Sequence, residues 1–161
     1  GLAHYEISIW SRGWESGDGG RDFRSRHNLV YWLNERYWGF GCGAHSSFDH
    51  HRFSNVLHPR EYIQRIGSSG SAVVEDEYID RELEMGETMM LGLRLIEEGV
   101  DRSRFQDRFG ITIEQAYRSI VDRLIGQELI ESNELCLRLT PRGRLLGNRV
   151  FGEFLPASSS K

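Results

Sequence analysis

The sequence predicts an α+β chain: a strand-bearing, aromatic-rich first part, then a helical second part that closes in a winged-helix-like arrangement. Three observations predict it. All four tryptophans (Trp10, Trp14, Trp32, Trp38) and all six histidines fall within the first 66 of 161 residues. From residue 73 onward Leu, Ile, Glu and Arg recur in amphipathic spacing. Between them, Gly67-Ser-Ser-Gly-Ser71 has the composition of a flexible joint. The expected divisions are 1–66, 73–156 and a disordered tail over 157–161.

In the first part, Tyr5-Glu-Ile-Ser-Ile-Trp10 reads as a strand, followed by a glycine-rich, charged loop over Gly13–Gly20. Arg26-His-Asn-Leu-Val-Tyr-Trp32 fits a helix or an extended segment. Trp38-Gly-Phe-Gly-Cys-Gly-Ala-His-Ser46 carries glycine at alternate positions. In a strand that strips one face of side chains, so that a ligand or another backbone can approach. Two or three strands with little helix between them cannot bury both faces. The expectation is therefore of the C-terminal piece of a larger protein, with the rest of the sheet supplied from elsewhere.

The second part reads element by element. Met85, Met89, Leu93 and Ile96 predict a helix from Glu77 to about Glu98, ended by Gly99. Asp101 caps a short helix that Gly110 stops. Thr112-Ile-Glu-Gln115 fits a capping box, opening a helix that buries Ile113, Ala116, Ile120 and Leu124. Strands at about 128–131 and 134–139 follow, with Leu135, Leu137 and Leu139 on one face. Thr140-Pro141 opens a last helix whose apolar face is Leu145, Leu146, Val150, Phe151 and Phe154.

Several function classes are disfavoured. Net charge is −4, and the part after residue 66 holds 12 basic against 17 acidic groups, so a nucleic-acid partner is not expected. No apolar run approaches the roughly 18 to 20 residues of a membrane span, and no secretory leader opens the chain. Cys42 and Cys136 form no CxxC pair and read as reduced thiols of a cytoplasmic protein. P-loop, Rossmann, nucleophile-elbow and zincin motifs are absent.

The residues that could carry chemistry lie in the first part. His27 beside aromatic residues suits an axial ligand of haem iron; the alternative is a buried histidine bonded to backbone. His45, at the end of the glycine run, is either a ligand contact or a strand-end residue. His50 and His51 are adjacent and lack metal-ligand spacing. Glu6, in the first strand, is either buried with a partner or at an exposed alternate position.

Six segments in order complete the picture: His4-Tyr-Glu-Ile-Ser8, Arg26–Trp32, Gly39–Ser46, Glu87-Thr-Met-Met-Leu-Gly-Leu-Arg94, Gly99-Val-Asp101 and Leu139-Thr-Pro-Arg-Gly-Arg-Leu-Leu146. Together they resemble the C-terminal part of the oxygen-independent coproporphyrinogen III oxidase-like radical S-adenosylmethionine proteins, over nearly the whole chain. His-Asn-x-x-Tyr-Trp is similar to the haem-chaperone branch. The resemblance implies that residues 1–66 are the terminal strands of an incomplete α/β barrel and 73–156 an accessory domain. It implies a haem site at His27, Asn28, Tyr31 and Trp32, and places Glu6, Gly41, Gly43 and His45 by the cofactor pocket. For the complete protein it implies a [4Fe–4S] cluster, S-adenosylmethionine and haem; for this chain, haem alone. The implied partners are a tetrapyrrole (haem or coproporphyrinogen), the missing N-terminal barrel, and a haem donor or acceptor protein. The chain departs from the family in lacking CxxxCxxC and in its longer loop before His27, so radical chemistry is not expected from it alone. The competing expectation is a stand-alone winged-helix module that binds a partner protein or, less readily, DNA.

Overall fold

The computed structural model describes residues 1–12 and 22–156. The loop expected over Gly13–Gly20 and the tail expected over 157–161 lie outside the described residues. In chain order the elements are β1 (Leu2–Glu6), β2 (Ile9–Arg12), α1 (Arg26–Trp32), β3 (His45–Phe48), β4 (His51–Asn55), α2 (Pro59–Ser69), β5 (Val73–Tyr78), α3 (Arg81–Gly92), β6 (Val100–Asp101), α4 (Arg102–Phe109), α5 (Ile113–Gly126), β7 (Ile130–Ser132), β8 (Cys136–Leu139), α6 (Pro141–Leu145) and α7 (Gly147–Gly152). They form two compact units: residues 1–34 with the chain from Met85 onward, and residues 35–84. The joint expected at Gly67–Ser71 thus falls inside the second unit.

In the first unit the caps act as the sequence implies. Asp101 accepts the Arg104 N–H at 2.8 Å to start α4, and left-handed Gly110 ends it. Thr112 and Gln115 form both bonds of the capping box of α5. The sheet order is β6-β8-β7, all antiparallel, with Val100 opposite Leu137 and Ile130 opposite Leu139. Leu137 and Leu139 are buried and Cys136 and Arg138 less so, the period-2 pattern expected. Met89, Leu93, Phe105, Ile113, Leu124 and Phe154 join them in the core.

Four expectations are corrected here. Tyr5–Trp10 is not one strand but most of a hairpin, turning at Ile7 and Ser8. The Ser8 N–H donates to Glu6 Oε2 at 2.9 Å, which holds the turn. The helix expected from Glu77 to about Glu98 spans only Arg81–Gly92, so Gly99 does not end it, and residues 73–78, with two valines at their start, pair with β4 as strand β5. The Asp80 carboxylate then accepts the Leu83 N–H at 2.9 Å. The closing helix is two, α6 and α7, broken at Leu146 (φ −112°, ψ 22°), and Leu145 is 86% exposed rather than on the buried face. A side chain on Gly143 would overlap the Leu129 carbonyl, so the close seat of α6 on that backbone requires glycine. Leu135 precedes β8 and is exposed.

The second unit is an antiparallel sheet, β3-β4-β5, with α2. Asp49 and His50, both at positive φ (52° and 63°), make the β3–β4 turn. Pro59 opens α2 and left-handed Gly70 closes it, so Gly67–Ser69 are helical. Val56, Ala72 and Ile79 are its buried apolar residues.

Candidate functional site

Helix α1 has seven residues, too few to persist alone. Tertiary contacts hold both its ends. Ser25 accepts the Asn28 N–H through Oγ at 3.3 Å, and its own N–H donates to the hydroxyl of buried Tyr5 at 3.4 Å. Past the last turn, Asn34 donates through Nδ2 to Thr88 Oγ1 at 3.0 Å, and its carbonyl accepts from Arg108 at 2.7 Å. The helical alternative for 26–32 therefore holds, and His27 and Tyr31 share a face. The Tyr31 hydroxyl lies 3.3 Å from His27 Nε2, with the rings edge to face at 4.9 Å. His27 is exposed, whereas Asn28, Tyr31 and Trp32 are half-buried.

The open question about Glu6 resolves to burial with a partner. Its side chain is 0% exposed, and Oε1 accepts from Arg94 Nε at 2.8 Å and Nη2 at 2.6 Å. The Ser8 N–H occupies Oε2, so neither oxygen is left without a bond. The Arg94 guanidinium then lies over the Trp32 ring, 4.5 Å from its centroid. The chain Glu6–Arg94–Trp32 thus links β1 to the end of α1.

Trp32 also lines a cleft of about 210 Å³ with Leu33, Thr88, Glu98, Arg104 and Phe105. The Trp32 indole N–H is buried there without a partner among the described residues, and so is Glu98 Oε2. The other Glu98 oxygen pairs with Arg24. Asp101 in the same wall is held below the ordinary carboxylate range by the Arg104 N–H and the Ser103 hydroxyl. An unmatched donor and acceptor suit a polar substituent or a bridging water; the space is below that of a pocket for a drug-sized ligand.

The glycine run is corrected from strand to loop. Gly41 (φ 101°) and Gly43 (φ 66°) take conformations closed to most side chains, and β3 begins only at His45. The backbone that approaches Gly39 closely is the chain's own, at His45. Gly41 accepts from Asn55 Nδ2 at 3.0 Å, and exposed His45 sits opposite Ser54. Glu6, His27, Asn28, Tyr31 and Trp32 therefore share one unit, while Gly41, Gly43 and His45 belong to the other.

Sequence reasoning missed Arg94, although it follows the apolar series Met85, Met89, Leu93 and a buried Glu6 demands a cation. It also missed Tyr5 and Glu98. Among the described residues no group of three or more His, Cys, Asp or Glu could hold a metal. Cys42 and Cys136 are free thiols in different units, so the cysteines present do not fit a [4Fe–4S] cluster. No helix among the described residues is long and apolar enough to cross a membrane.

The HemN C-terminal domain family matches residues 79–146. Heme chaperone HemW of Bacillus subtilis is 36% identical over 155 residues, which cover 96% of this chain and 38% of that protein. HemW of Lactococcus lactis is 31% identical with the same shares. Radical S-adenosyl methionine domain-containing protein 1, mitochondrial, of Dictyostelium discoideum is 30% identical over 178 residues, again 96% and 38%. The chain thus spans 38% of the length of these relatives. Among solved structures, the radical SAM coproporphyrinogen III oxidase HemN of Escherichia coli superimposes with a TM-score of 0.58. Its identity is 18%, over 74% of this chain and 28% of that one, a likeness of fold. Residues 79–146 match the HemN C-terminal domain, and over 96% of its length the chain is similar to the heme chaperone HemW relatives.

Proposed function

We propose that this chain is the C-terminal part of a haem chaperone and that α1 presents haem, as cargo, with an axial ligand from His27. The observation that carries the reading is that α1 is fastened at both ends while His27 stays exposed. A neutral imidazole offers iron a lone pair, so Tyr31 must release Nε2 or Nδ1 must serve. Tyr31 and Trp32 would line the macrocycle's edge, and Asn28 would bond to its polar rim. The relatives named heme chaperone support haem over coproporphyrinogen.

In the complete protein, the [4Fe–4S] cluster and S-adenosylmethionine would be held by residues outside this chain. Residues 1–66 would complete the incomplete barrel, with Gly41, Gly43 and His45 towards the cofactor pocket and Glu6 acting through Arg94. The order α3-β6-α4-α5-β7-β8 supports a winged-helix-like accessory domain that covers the barrel's open end or docks a haem donor or acceptor in the cytoplasm. Titrating haem into the chain is expected to give a shifted Soret band that His27→Ala abolishes; an unchanged titration in that variant overturns the assignment.

The same element order favours one second reading, a stand-alone winged-helix binding module. On α5, Arg118 and Arg123 stand against Glu114 and Asp122, so a protein partner fits better than DNA. A gel shift at low salt, where phosphate contacts are strongest, decides the DNA form of it.

A further inference from the structure

The segment Leu139–Leu146 builds something that the haem site does not use. Its Arg144 and Leu145, with Arg149, Arg94, Ser8 and Phe151, line an open groove of about 420 Å³ in the first unit. Three arginines meet there, and no Asp or Glu lines the groove. Glu6 neutralises Arg94 from behind and is itself fully buried. Neither Arg144 nor Arg149 has an acidic partner among the described residues. Arg144 Nε is moreover buried with no acceptor. Nearly every guanidinium-sized donor in a folded protein finds an acceptor, so a buried orphan marks the place where one is supplied from outside.

The groove is also apolar. Leu145 is 86% exposed beside Ile7, Leu146 and Phe151. A leucine held out by the break at Leu146, next to cations without acidic partners among the described residues, is matched by a ligand of the complementary kind. Guanidinium forks bind carboxylates and phosphates in pairs of parallel bonds, and a low-dielectric apolar wall strengthens them. In a chain of net charge −4 such a local excess of positive charge is not a consequence of composition.

We propose that this groove binds a small amphiphilic oxyanion, a carboxylate or phosphate carried on an apolar body, with Arg144 and Arg149 holding the anion and Leu145 covering the body. Arg94 is part of the floor, fixed by Glu6 rather than free to follow the ligand.

Binding is measured by calorimetry on the 161-residue chain with three probes: metal-free protoporphyrin IX, dodecyl phosphate below its micelle concentration, and inorganic phosphate. The first two separate the carboxylate from the phosphate source, and the third lacks the apolar body. The expected result is binding of at least one amphiphile, weakened at least about ten-fold in Arg144→Gln/Arg149→Gln. A like loss is expected in Leu145→Glu, which places a negative charge beside the anion. All three side chains are at least partly exposed, and coincident thermal melts check that the variants fold. No binding of either amphiphile, or wild-type affinity in the double variant, overturns the proposal. Inorganic phosphate binding as tightly as the amphiphiles overturns its apolar half and leaves a bare anion site. Because protoporphyrin IX carries no iron, His27→Ala is expected to bind it normally, so the fates of this groove and of the haem ligand are read separately.

Discussion

A carboxylate with no exposed surface is among the costliest groups to place in a protein, and Glu6 shows what makes it tolerable. Two guanidinium bonds from Arg94 and one backbone N–H saturate it. Removing one partner of such a pair leaves the other charge stranded. Glu6→Ala is therefore expected to lower stability by about 3 kcal/mol, read by urea unfolding. It should also shift the Trp32 indole N–H resonance, because Arg94 loses the anchor that keeps it over the ring. An unchanged resonance would show that the Arg94–Trp32 stacking stands without Glu6. The candidate site was legible at this scale in its residue types, His27, Tyr31, Trp32 and Glu6. Its connections were not: Arg94 is 88 residues from Glu6, and no local spacing pairs them.

At the scale of elements, side-chain caps set the starts of α1, α3, α4, α5 and α6, and four of these were readable as Asp or Thr before an apolar series. Asp80 was passed over in favour of a longer helix, and the period-3.6 pattern of Met85–Ile96 masked the strand before it. Asp101 makes the cap testable by pH. Its folded carboxyl lies below the ordinary 3.8, so its contribution to stability is complete above that value and is lost as pH falls through the lowered folded one. Asp101→Ala is expected to cost about 1 kcal/mol at pH 7, and that deficit should shrink progressively below about pH 4. Asp101→Asn, which caps without titrating, should flatten the acid limb. Urea titrations across the acid range measure both.

Across the whole molecule the apolar core is unevenly shared. Every member of the main buried cluster, from Met89 to Phe154, lies in the unit that contains α4 to α7. The unit of residues 35–84 buries few apolar side chains, and every residue of β5 is exposed. Backbone hydrogen bonds survive local opening in proportion to the packing over them. Amides of α5, β7 and β8 are therefore expected to exchange slowest with deuterium, and those of β3, β4 and β5 markedly faster under the same conditions. Equal protection in both units would contradict this.

Local chemistry that acts within a few residues was determined by the sequence itself: the capping box of Thr112 and Gln115, the stop at Gly110, and the alternation of Leu137 and Leu139. Each depends on a residue's own backbone preference or on neighbours no more than one turn or one strand away. The tertiary structure alone decided where strands find partners. Residues 73–78 became β5 because β4 offers them a ladder, and the glycine run became a loop because His45's backbone closes on Gly39. It alone decided the long-range charges as well, joining Glu6 to Arg94 and leaving Arg144 and Arg149 without acidic partners among the described residues. Pairings of that kind depend on separations in space that no sequence spacing encodes.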